Sequence, residues 1–231
     1  MKLTKIYQTL EHRNNNEEIE NHGPYFCSLF YENKKIKTGA KTPWLGEGYY
    51  FWDTRLENAK WWGETIYKSK GYVICQTLYD AHSPLLYDLL GDLKSFDEFV
   101  SLAEEIKKKN KKKKVSFSFV LQYLKKLPDF NYSAIRVLAV PNSFNSTTIC
   151  FPKSGIYLAQ IGKVQICFFD KRLLKQNFRV VETHPCSINI TSHPLKTIFQ
   201  HKACTDKLYA DSFYKVQKNS HSSFEVICCC S

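Results

Sequence analysis

The chain has 231 residues, of which 43% are hydrophobic, 15% aromatic and 24% charged; this composition excludes a disordered polymer and supplies apolar side chains for one large core. Its 33 lysines and arginines outnumber its 22 acids, a net charge of +11, which favours contact with nucleic acid, nucleotide phosphates or an acidic surface. Nine cysteines form an odd set without a Cys-x-x-Cys pair, so free thiols in a reducing compartment are expected rather than a disulfide framework or zinc site.

The first residues turn polar too early for a secretory signal, and no run of about 18 apolar residues exists to cross a membrane. A cytoplasmic protein without membrane attachment is therefore expected. Cys228 stands at the prenylation position, but the two residues after it are not aliphatic.

In chain order, residues 3–9 alternate as a first strand, with Tyr7 and Thr9 on one face. A short helix over 17–22 should end at Gly23-Pro24. Residues 25–31 read as a strand, and 32–41 as a charged connection leading to Pro43-Trp44-Leu45.

Residues 46–62 form the most informative stretch. Gly46 and Gly48 permit a tight turn or a close approach by a ligand. The aromatic run Tyr49-Tyr50-Phe51-Trp52 has strand propensity, and alternation sends Tyr50 and Trp52 to one face. Asp53 and Thr54 are candidate caps for a helix that carries Trp61 and Trp62 near its end.

Beyond it, 72–78 reads as a strand. Residues 85–90 and 96–106 read as helices, with Ser95 as a cap. Seven lysines fall among the eight positions from Lys107 to Lys114, read as a solvated loop rather than a phosphate-tracking patch, since no aromatic interleaves it. A helix over 116–127, a buried strand over 134–140, a polar loop over 143–148, a turn at Gly155 and a strand within 162–170 complete the main domain. From His184 onward the composition shifts toward Ser, His, Thr and Cys. Residues 1–183 are thus expected to form one domain, and 184–231 an extension with one or two helices within 195–216.

Gly46, Gly48, Tyr50, Phe51, Asp53 and Ala59 together resemble the nicotinamide-binding segment of the ADP-ribosyltransferase superfamily, in its poly(ADP-ribose) polymerase and bacterial toxin-like branches. There Gly-Lys-Gly-Ile-Tyr-Phe-Ala-Asp precedes Ser-Ala-Asn-Tyr. The resemblance implies an α+β fold, with a split, mostly antiparallel β-sheet flanked by helices, and NAD as the substrate. It implies that Tyr50 and Trp61 sandwich the nicotinamide, each ring adding on the order of 0.5–2 kcal/mol. Gly48 would allow close approach, and Asn58, in place of the family's serine, would hydrogen-bond the carboxamide.

The family's first strand carries His-Gly-Ser or His-Gly-Thr, and Tyr7-Gln8-Thr9 stands in its place. Tyr7 would then contact a ribose and the Gln8 backbone the carboxamide. Gln165 occupies the position of the glutamate that stabilises positive charge on the anomeric carbon; glutamine keeps the hydrogen bond and loses the charge. Tyr7, Tyr50 and Gln165 form the implied catalytic set. The implied reaction passes ADP-ribose from NAD to a nucleic-acid or protein acceptor, as in a toxin or phage-defence effector. Two alternatives stand beside it: a catalytically inactive nucleotide- or partner-binding module on the same fold, and a basic nucleic-acid-binding toxin in which the aromatic motif is only core.

Overall fold

A computed structural model describes residues 2–30, 35–37, 43–110, 115–140, 148–150, 157–159, 162–175 and 177–186. In chain order the elements are β1 (Leu3–Glu11), α1 (Asn16–His22), β2 (Tyr49–Asp53), α2 (Leu56–Ile66), β3 (Gly71–Asp80), β4 (Leu86–Asp88), α3 (Leu93–Lys109), α4 (Phe117–Leu124), β5 (Ala134–Val140), β6 (Thr148–Cys150), β7 (Tyr157–Ala159), β8 (Lys163–Phe168) and β9 (Arg179–Pro185). Seven strands form one sheet in the order β4-β5-β8-β2-β1-β3-β9, and β6 pairs with β7 separately. Within the large sheet β4 and β5 run parallel and every other neighbouring pair antiparallel. The fold is therefore α+β with a mostly antiparallel sheet.

Side-chain alternation divides the core between the two faces of the sheet. Ile6, Leu10, Phe51, Val73, Cys75, Tyr79, Ile166 and Phe168 build one cluster, joined by Ile19 of α1 and by Leu173 and Phe178 of the segment that follows β8. Tyr50, Tyr87, Ile135, Val137 and Cys167 build the other, against Phe99 and Ile106 of α3 and Val120 and Leu121 of α4. Helix α2 lies on this second face as well: Trp52 meets Trp61 and Trp62 at 5.9 Å between ring centroids, and the Thr9 hydroxyl donates to the Ala59 carbonyl at 2.9 Å.

β1 pairs with β3 over nine residues but with β2 only at Ile6–Asp53 and Tyr7–Trp52. Beyond Tyr7 the strands part, and a side chain takes over from the ladder. The Gln8 amide donates to the carbonyls of Tyr25 at 2.9 Å and Tyr50 at 3.3 Å, while its oxygen accepts from the Tyr25 N–H at 2.9 Å. These bonds satisfy an amide that is 2% exposed.

Several local expectations are corrected. Residues 85–90 are not helical. Leu86–Asp88 is the short parallel strand β4, because Leu86 belongs to one face's cluster and Tyr87 to the other's, and a short apolar run buried on both sides does not distinguish strand from helix by periodicity. Of the strand expected over 25–31, the described residues 25–30 hold only isolated bridges, Cys27 to Gly48 and Phe30 to Ile36. Asp53 does not cap α2; Arg55 occupies the N-cap, and Asp53 instead accepts from Arg136 Nε at 2.7 Å. Asp92, rather than Ser95, caps α3, and α4 begins with a cap at Ser116, whose hydroxyl accepts from the Phe119 N–H.

The edge strand β9, unannounced by the sequence, runs past residue 183, to Pro185. Lys107, Lys108 and Lys109 form the last turn of α3, where the helix dipole favours cations. Lys111 to Lys114, the polar loop over 143–147, the Gly155 turn and the helical tail expected over 195–216 lie outside the described residues. Among those residues no helix is long and apolar enough to cross a membrane.

Candidate functional site

Three adjacent strands bring the sequence-predicted residues into one row. Cross-strand pairing sets Gln76 of β3 opposite Tyr7 of β1, Tyr7 opposite Trp52 of β2, Trp52 opposite Gln165 of β8, and Gln165 opposite Val137 of β5. Directly opposed residues project to the same face, so Tyr7 and Gln165 flank Trp52 on the side covered by α2. Thr9 and Tyr50 lie on that face by alternation. Residues 7 and 165, far apart in sequence, are therefore neighbours but one.

Tyr50 reaches inward. It is 3% exposed; its hydroxyl donates to the Gly46 carbonyl at 2.6 Å and accepts from the Leu45 N–H at 2.9 Å. Those bonds fasten the turn in which Gly46 adopts φ of +81°, a conformation that favours glycine. Gly48 is required for a different reason, since a Cβ there would meet the Cys167 sulfur at 2.5 Å and the Phe168 carbonyl oxygen at 2.6 Å. Gly48 thus permits close approach by β8, whose Phe168 stands opposite Tyr49 in the register.

Trp61 is partly exposed on α2, touching Trp52 edge-on at 5.9 Å and Trp62 at 6.0 Å. One turn earlier, Asn58 is 7% exposed, and its side-chain Nδ2 has no acceptor among the described residues. A buried donor left without a partner costs free energy, on the order of 1–3 kcal/mol, which a bound acceptor would recover. Asn58 is also the residue for which the family resemblance implied a carboxamide contact.

Gln165 is 2% exposed, and its side-chain oxygen accepts from the Trp44 indole N–H at 2.8 Å. Burial, aided by Glu57 and Glu182, raises the Tyr7 hydroxyl above its ordinary value, so Tyr7 is a neutral donor at physiological pH. Burial pulls the Lys163 ammonium down; its Nζ stands 4.6 Å from the centre of the Trp61 ring.

No family model matches the chain, and no curated protein or solved structure matches it. The site must be read from its own chemistry.

The residues that sequence reasoning overlooked are Trp44, Trp52 and Lys163. Trp52 was placed on the correct face by alternation, but nothing in the sequence announced that its indole would stand between Tyr7 and Gln165. The motif it resembles has alanine at that position. Trp44 gave no sign of its contact, because 121 positions separate it from Gln165. Lys163, at the first position of β8, reads as an ordinary solvated strand end. A further cluster borders the row: a register shift in β9 re-aims its side chains, and Glu182 binds Lys60 of α2 at 2.9 Å and His184 at 3.0 Å. The open depression along α3, lined in part by Asp97, Ser101 and Glu105, shares no residue with the row.

Proposed function

We propose that the chain is a nucleotide-binding protein of ADP-ribosyltransferase-like build, whose ligand is NAD or a derivative of it, held by Asn58 and Trp61 of α2 above the Tyr7–Trp52–Gln165 row. The observation that carries this reading is the register itself. Two positions that the resemblance identifies as ribose-contacting and charge-stabilising sit on either side of one residue of the motif strand, with the buried, unpaired amide of Asn58 on the helix above. The chemistry suits a ligand with hydroxyl and carboxamide groups: Tyr7 and Asn58 donate, and the Trp61 face stacks a flat ring.

Binding without turnover is the better supported version. The Gln165 amide brings no negative charge to an oxocarbenium-like state, where electrostatic stabilisation is often worth a few kcal/mol, and the Trp52 indole fills space beside it. One observation favours turnover instead: Glu182, paired with Lys60 of α2 at 2.9 Å, puts a carboxylate at the border of the row.

Calorimetric titration with oxidised and reduced NAD, run beside a nicotinamide-release assay, tests both versions. The binding reading expects heat of binding for wild type that Asn58→Ala and Trp61→Ala each abolish or weaken about tenfold or more, with both variants still folded, and nicotinamide release no faster than in buffer. Binding unchanged in both variants would overturn it. Release that depends on Tyr7 and Glu182 would move the assignment to the transferase.

A further inference from the structure

Lys163 is the first residue of β8 and, two positions before Gln165, shares its face. Its ammonium sits on the Trp61 ring, and among the described residues no carboxylate pairs with it. Among the described residues, a partly buried cation is thus held by an aromatic face alone. Under the nucleotide-binding reading, Trp61 is the ring on which a nicotinamide would stack.

We propose that the site beside Trp61 selects an anionic nucleotide whose terminal group is uncharged, such as ADP-ribose or NAD in its reduced, dihydronicotinamide form, over oxidised NAD with its cationic ring. This rests on the nucleotide-binding reading above and specifies its ligand. The electron-rich face of Trp61 is already occupied by one positive charge. An oxidised nicotinamide stacked there would either evict the ammonium or stand against it, and Gln165 offers no carboxylate to balance the two charges. A neutral dihydropyridine or a free ribose meets no such charge repulsion. The unpaired donor of Asn58 is served equally by a carboxamide oxygen or a ribose hydroxyl, so it does not discriminate by charge.

The comparison that isolates the effect is NADH against oxidised NAD, which differ by a hydride and one unit of charge. Calorimetric titration of the full chain at low salt should give NADH and ADP-ribose affinities about tenfold above that of oxidised NAD. In Lys163→Met the ratio of NADH to oxidised NAD should fall to about one, whereas Lys163→Arg should preserve it; melting curves establish that each variant is folded. Lys163→Gln supplies the same comparison should the methionine variant fail to fold. Equal affinities in wild type, or a ratio unmoved by removing the ammonium, would overturn the selectivity while leaving nucleotide binding intact. Failure of all three ligands to bind the folded wild type would overturn both.

Discussion

The Trp44 indole N–H donates to the side-chain oxygen of Gln165 at 2.8 Å, joining the segment before β2 to the middle of β8. Trp44 also packs against Phe117 of α4, ring centroids 5.3 Å apart, so one side chain connects a loop, a helix and the candidate site. Trp44→Phe keeps most of the packing and deletes the donor. The buried oxygen of Gln165 then lacks a partner, and urea titration should show a loss of about 1–3 kcal/mol. An unchanged midpoint would mean that Gln165 re-bonds elsewhere.

Arg136 lies between two carboxylates, with Nε 2.7 Å from Asp53 and Nη1 3.1 Å from Asp88. The Tyr79 hydroxyl stands 3.4 Å from Asp53. Arg136→Met leaves Asp53, whose side chain is 4% exposed, as an uncompensated buried charge. A loss of about 3–5 kcal/mol is expected. The double variant Arg136→Met with Asp53→Asn should recover part of it, read as a denaturation midpoint above that of Arg136→Met alone.

Tyr50→Phe removes the hydroxyl that ties Leu45 and Gly46 to β2 and should cost about 1–3 kcal/mol while leaving ligand affinity nearly intact. Tyr50→Ala opens a cavity in the second cluster and should cost more, about 3–5 kcal/mol. A large effect of Tyr50→Phe on nucleotide affinity with little on stability would instead assign the hydroxyl to the ligand.

The pair of Glu182 with Lys60 predicts a pH dependence. Burial pushes the Glu182 carboxyl up, but the hydrogen bonds from Lys60 and His184 outweigh it and hold the group below its ordinary value. A carboxyl lowered on folding stabilises the protein above its unfolded pKa, about 4.3, and the contribution disappears as pH falls through the lower folded value. Wild type should therefore melt a few degrees at most above Glu182→Gln at neutral pH, and the gap should close on acidification. A gap constant with pH would assign the effect to packing.

The strands that carry the site were legible because each declares itself locally. The aromatic run at Tyr49 to Trp52, the alternation around Tyr7 and the apolar stretch before Phe168 are period-two or fully apolar patterns with clear ends. What escaped depends on partners distant in the chain. β4 is three residues long and exists as a strand because Ala134, Ile135 and Arg136 lie alongside it. β9 is half exposed and polar, and only its edge position against β3 makes it a strand. Asp53 has the right chemistry and place for a cap, yet an arginine 83 positions away claims it. The candidate site was readable as a list of residues but not as a volume, because whether Trp52 leaves room depends on how Trp61 and Trp62 return from α2.

The chain's four tryptophans all belong to one neighbourhood: Trp52, Trp61 and Trp62 lie within 6.0 Å of one another, and Trp44 reaches them through Gln165, which faces Trp52. The protein's indole emission therefore originates from this patch alone, and excitation of any of the three packed rings is shared among them. A molecule that seats beside Trp61 would shift or quench that light directly. Loosening confined to the outer end of α3 would pass without an optical trace, so a change in emission in this protein reports the tryptophan patch before it reports that end of the helix.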